Sequence, residues 1–200
     1  MRGVLILFLL IGIESTHFCF SQKSTFIVDK FLIVMGFQEY NTNGKLSESA
    51  SQNTMDAANR IIEILDPDHV VYIKRIHKIL NLSFSFPLVY TSHDTIAMQF
   101  DKRLVLVNEN IISREKSNAF SSEELLNFLV QNNAKEIMVI GLLAEEFISQ
   151  SILEGQEIGF DMYMIPEAIQ GQTPKKKDKA IKKLTKLGIK TFAFHSLNDK

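Results

Sequence analysis

Hydrolysis at a carbonyl needs a nucleophile with a base beside it, and the residues able to serve are sparse in this 200-residue chain. Cys19 is the single cysteine. Glu39 follows Gln38 just after the apolar run at residues 31–35, and Glu145 and Glu146 follow a second such run at 137–140. A carboxylate held in a cleft can activate water as a general base. The plainer reading of the Glu145–Glu146 pair is favourable charge at the start of a helix. Asp66, Asp68, His69 and His77 form the one cluster of metal-ligand types. Aspartates around a proline commonly build turns, so no metal site is expected there. The chain has no glycine-rich phosphate loop and no paired-cysteine spacing, and no cofactor is expected.

Cys19 lies behind an apolar stretch at residues 4–13, with Arg2 as a short positive lead-in. That is the length of a signal-peptide core and too short to span a membrane comfortably. Cys19 and Ser21 occupy the −3 and −1 positions of a cleavage site before Gln22. The expectation is a leader at 1–21, export to the periplasm or outside the cell, and a single mature domain at 22–200 without a membrane span. An uncleaved anchor is the alternative, and Thr16-His17-Phe18 does not resemble a lipidation motif. The mature chain would then hold no thiol, so neither a disulfide nor a thiolate nucleophile is available to it. With 46% hydrophobic residues, 22% charged and a formal net charge of −1, the composition fits one globular domain and points to no nucleic-acid or membrane-surface partner.

The elements that would position these groups alternate. Residues 31–35, 70–73 and 137–140 are continuous apolar runs, the pattern of strands buried on both faces. Residues 53–65 place Met55, Ala58, Ile61, Ile62 and Leu65 at helical spacing, and Asp66-Pro67-Asp68 stops that helix. Residues 78–100 are less regular: Phe84, Phe86 and Pro87 suggest a loop across the surface, and Thr91 to Asp94 a short helix. Phe84, Phe86, Tyr90 and Phe100 suit a pocket or a subunit contact, with core packing as the default. Short strands are expected at 104–107 and 111–112. Helices follow at 123–131, capped by Ser121 or Ser122, at 145–153 and at 175–187. Further strands are expected at 159–165 and 189–194. The last helix is rich in lysine, with Ala180, Ile181, Leu184 and Leu187 expected inward and a solvated basic face. Strand–helix repetition of this kind gives a three-layer α/β/α domain with a mainly parallel central sheet.

Four local patterns sharpen that fold: the strand ending in Gly36-Phe37-Gln38 with Gly44-Lys45-Leu46 beyond it, Arg114 through Asn118-Ala119-Phe120, Gly141 six residues before Phe147, and Gly159 to Met162 followed by Pro166-Glu167-Ala168. In order and spacing they resemble the isochorismatase-like cysteine hydrolases over roughly residues 29–195. The resemblance implies a Rossmann-like hydrolase fold in which an Asp acts as base, a Lys assists and a Cys thiolate attacks a carbonyl or related carbon. The matching positions here hold Gly36, Arg114 and Phe147. Gly36 cannot take a proton, Phe147 has no lone pair, and an arginine stays protonated at working pH. The resemblance therefore implies a catalytically inactive homologue that binds a small or anionic ligand, or acts in assembly as a homo-oligomer. Arg114, Gln38, Phe147, His77 and Phe120 are the expected ligand-binding residues. The alternative is hydrolysis of amide or vinyl-ether bonds by a carboxylate such as Glu39 or Glu146.

Overall fold

The computed structural model describes residues 30–193 other than 44, 77, 83, 87, 88, 94 and 97. The leader and the ligand candidate His77 lie outside the described residues. The central sheet has six strands, all parallel, in the order β5-β2-β1-β6-β7-β8. These are β1 (Lys30–Met35), β2 (Val70–Arg75), β5 (Ile111–Arg114), β6 (Glu136–Leu142), β7 (Asp161–Gln170) and β8 (Lys190–Thr191), while β3 (Lys78–Leu82) and β4 (Val89–His93) pair only with each other. The apolar runs of β1, β2 and β6 are buried along almost their whole lengths, as the pattern predicts for strands covered on both faces.

Helices α1 (Glu39–Thr42), α2 (Glu48–Ile64), α3 (Glu123–Gln131), α4 (Ser149–Ile158) and α5 (Pro174–Lys186) make the crossovers. The chain steps from β1 to β2 in one direction and from β6 through β7 to β8 in the other. Parallel crossovers are right-handed, so α2 falls on one face and α4 and α5 on the opposite one. Strand order reverses at β1 and β6, and the crevice outside the carboxyl ends of those two strands is where ligands sit in such sheets. The two strands approach so closely there that a Cβ on Gly141 would lie 1.9 Å from the carbonyl oxygen of Met35. Glycine is required at that position.

Several expectations need correction. Helix α2 begins at Glu48, five residues before the expected start, because the Ser47 side chain accepts from Ala50 N and caps it. Residues 104–107 are not a strand. The Tyr72 hydroxyl donates to Val105 O (2.9 Å) and accepts from Val107 N (3.1 Å), which satisfies backbone groups a strand would have paired. The segment from Thr91 belongs to strand β4, and the irregular stretch around it is a hairpin. Phe84 and Phe86 at its turn are fully exposed, contrary to core packing. Strand β7 extends to Gln170 and β8 is only two residues long. The basic helix buries Ala180 and Leu184 as expected, but Leu187 is 49% exposed. Ser122 is the cap of α3, its hydroxyl accepting from Leu125 N.

Candidate functional site

Four strand ends converge on one edge of the sheet. Gly36 follows β1, Arg75 ends β2, Arg114 ends β5, and Phe147 sits in the turn after β6. Register pairs Arg75 directly with Arg114 across β2 and β5, and Ile76 N donates to Arg114 O (2.7 Å).

The turn presenting Phe147 is irregular. Leu143 has φ 61° and ψ 61°, a left-handed conformation rare for a branched side chain, and residues Ala144–Ile148 form one π-helical turn before α4. Ser149 Oγ donates to Ala144 O at 2.6 Å and secures the wide turn. Phe147 is thereby held at 2% exposure. The Arg75 guanidinium lies 4.9 Å from its ring centroid and that of Arg114 5.3 Å. Cations over an aromatic face gain from its quadrupole, more so when desolvated.

Gly36 has φ +83°, and a Cβ there would meet Leu142 O at 3.0 Å and Leu142 N at 3.2 Å. The space beside Gly36 is thus filled by the β6 backbone, and the Phe147 ring is not among its nearest neighbours. Asn41 Nδ2 donates to Gly36 O (2.8 Å) and fixes this loop from α1.

Gln38 is buried and its amide is fully engaged. Nε2 donates to Arg75 O (2.9 Å) and Met98 O (2.8 Å), and Oε1 accepts from Arg75 N (2.8 Å). It therefore braces the end of β2, leaving no free N–H donor for a ligand. Phe120 is 3% exposed and stacks on Phe160 with centroids 5.7 Å apart. Of the expected ligand residues within the described chain, the structure brings Arg114 and Phe147 into contact and sets Gln38 against the backbone of Arg75.

No local motif in the sequence marks Arg75; its one signal there is that a charged residue ending a buried strand beside β1 points to the ligand edge of a parallel sheet. Among the described residues no carboxylate forms an ion pair with Arg75 or Arg114. Arg114 is 4% exposed, and its Nη1 donates to Lys116 O. The Nε atoms of both arginines are buried without a hydrogen-bond partner. Burial, and next the neighbouring charge of Arg75, pull the Arg114 guanidinium down to about 10.

The carboxylates considered as bases are placed elsewhere or otherwise engaged. Glu145 accepts from Gln172 N (3.1 Å) and pairs with Lys176 at 3.5 Å. Glu146 is exposed, and Glu39 accepts from Asn43 Nδ2. The Asp66 side chain accepts from Asp68 N in a turn, and the His69 ring packs tilted against Phe31, centroids 4.4 Å apart. Among the described residues no group of three or more His, Cys, Asp or Glu is gathered as metal ligands.

The isochorismatase domain family matches residues 30–193. The chain belongs to the isochorismatase family. Solved structures agree on the isochorismatase fold. An isochorismatase-like hydrolase from Alkaliphilus metalliredigens superposes with a TM-score of 0.67 at 11% identity, covering 86% of this chain and 95% of that one. A pyrazinamidase of Pyrococcus horikoshii, solved with zinc, gives 0.63 at 21% identity, covering 83% and 99%. The YcaC protein of Escherichia coli, an octameric hydrolase of unknown specificity, gives 0.57 at 13% identity, covering 84% and 76%. No curated protein matches the chain. Among the described residues no helix is long and apolar enough to cross a membrane.

Proposed function

We propose that this chain is an exported, non-hydrolysing member of the isochorismatase family that holds a small ligand at the carboxyl edge of its sheet. The observation that carries this reading is Phe147. It stands where the family resemblance places the nucleophile, buried and packed against two guanidinium groups. None of Gly36, Arg75, Arg114 and Phe147 can form a covalent intermediate or accept a proton at neutral pH. The leader-like residues 1–21 support export.

The test is an amide and vinyl-ether hydrolysis panel run on the wild type, on Phe147→Cys, and on the triple variant Gly36→Asp, Arg114→Lys, Phe147→Cys. A silent wild type is the expected result. A rate from the wild type would overturn the reading and return attention to Glu39 or Glu146 as a base for water. Because Gly36→Asp forces a side chain into a left-handed backbone, the triple variant must be shown to be folded before its rate is interpreted.

A second reading, assembly into a homo-oligomer, is favoured by one separate feature. Leu82, Phe84 and Phe86 on the β3–β4 hairpin are 83%, 110% and 94% exposed. Exposed apolar side chains of this size, so close in sequence, suit a subunit contact. Sedimentation of the wild type beside Phe84→Ser/Phe86→Ser decides it: a larger species lost in the variant supports assembly, and a monomer in both removes it.

A further inference from the structure

We propose that Arg75 and Arg114 together form a carboxylate-binding site over the Phe147 ring, so that the ligand is a small molecule carrying a carboxylate group. This rests on the ligand-holding reading above and assigns its chemistry.

The physical argument begins with cost. Two guanidinium groups pack on one aromatic ring, and neither has a carboxylate partner among the described residues. Leaving one cation buried and unpaired is costly, and setting a second beside it adds repulsion. A protein needing only to fill this site could stack an apolar side chain on Phe147. Two cations are explicable if an anion completes them.

The geometry narrows the anion. Arg114 is buried, and its Nη1 is already engaged with the Lys116 carbonyl. What remains is the Nε edge, whose buried N–H lacks a partner. The Nε edge of a guanidinium presents two parallel donors that match the two oxygens of a carboxylate. Arg75 offers the same kind of edge, with Nε again buried and unpartnered, and is itself only half-buried, so it faces the solvent side. Gln38 holds Arg75 by both its backbone N–H and its carbonyl, which fixes the point from which the guanidinium extends. Preorganised donors of this kind favour binding because little freedom remains to be lost.

The lysine-rich α5 is a competing sink for anions, so the experiment must separate the two. Sodium benzoate is titrated calorimetrically into the purified protein at fixed ionic strength, beside benzamide and inorganic phosphate. The expected result is one site for benzoate, with benzamide at least tenfold weaker because it lacks the charge. Arg75→Gln is expected to weaken benzoate at least tenfold, and Lys175→Gln/Lys182→Gln/Lys186→Gln to leave it unchanged. Circular dichroism checks that each variant is folded. Should Arg75→Gln not fold, the side-chain Nε–H resonances of arginine in the wild type give the same answer. Benzoate should then shift two of them. Benzoate binding that survives Arg75→Gln, that disappears in the lysine variant, or that moves no arginine resonance overturns the proposal. Phosphate binding tighter than benzoate overturns the carboxylate assignment. These failures are separable from failure of the parent reading, which is overturned by a rate of hydrolysis and not by an absence of benzoate binding.

Discussion

Arg103 and Arg114 carry the same side chain into opposite surroundings. Arg103 is well paired: Nε and Nη2 reach the Asp101 carboxylate at 2.9 and 2.5 Å, Nη1 donates to Gln52 Oε1 at 2.8 Å, and Nη2 donates to Ser51 Oγ at 3.2 Å. This cluster ties the 101–103 turn to α2. Arg114, far more buried, has one carbonyl partner and a second cation for a neighbour. A paired arginine reports on how the chain is held together. An unpaired buried one at the ligand edge of a parallel sheet reports on what the chain holds.

Breaking the paired cluster should give the largest effect. Asp101→Ala leaves Arg103 without its carboxylate, and the loss expected is about 2–4 kcal/mol, below the range for a fully buried pair because Arg103 is 35% exposed. Urea unfolding measures it, and a loss under about 1 kcal/mol would show that Gln52 and Ser51 suffice.

The same cluster sets an acid limit. Hydrogen bonding from Arg103 holds the Asp101 carboxyl down at about 2. Its folded value is depressed below the unfolded one, so its stabilisation is complete above about pH 4 and is lost as pH falls through 2. The expected loss across that window is about 2 kcal/mol, and Asp101→Asn should flatten that part of the stability profile. A profile equally steep in the variant would assign the acid sensitivity to other carboxylates.

A smaller effect sharpens the contrast at the unpaired site. The simplest way to supply Arg75 and Arg114 with a carboxylate would be Gly36→Asp, yet the left-handed backbone at Gly36 and Leu142 O at 3.0 Å from any Cβ oppose it. A net destabilisation of about 1–2 kcal/mol is expected by thermal unfolding, the usual penalty for a side chain in that backbone region. A variant as stable as the wild type would mean that the new carboxylate reaches the arginines and offsets the strain.

What could be read from sequence follows the same division. Strands β1, β2 and β6 were legible because burial on both faces writes a continuous apolar run. The β3–β4 hairpin was not, because it pairs only with itself and exposes Leu82, Phe84 and Phe86, which removes the usual link between apolar residues and core. The run at 104–107 misled for a tertiary reason: its backbone is satisfied by the hydroxyl of Tyr72, a partner no local pattern can announce. At the site, Gly36, Arg114 and Phe147 could be named only through the family resemblance, whose motifs each of them sits in. Arg75 could not, because its significance arises only when register sets β2 beside β5. The bonds of the Gln38 amide to the backbone of Arg75 and Met98 were likewise not legible, because they join segments far apart in the chain.

The smallest expected change carries the most information about the comparison. Arg75→Met keeps a long apolar stem against Phe147 while removing one of two neighbouring cations. If Arg75 were part of the framework, as Arg103 is, the substitution should cost stability. If it is held for a ligand, removing it relieves repulsion on Arg114, and the protein without ligand should gain about 0.5–1 kcal/mol, since replacing a partly buried charge beside a like charge with an apolar chain is often neutral or stabilising. Residues kept for function commonly sit at some cost to stability. Thermal unfolding of Arg75→Met with and without benzoate reads both sides at once: a higher melting temperature alone, with the benzoate-induced rise abolished, identifies a binding residue. A lower melting temperature with that rise preserved would place Arg75 beside Arg103 as a brace.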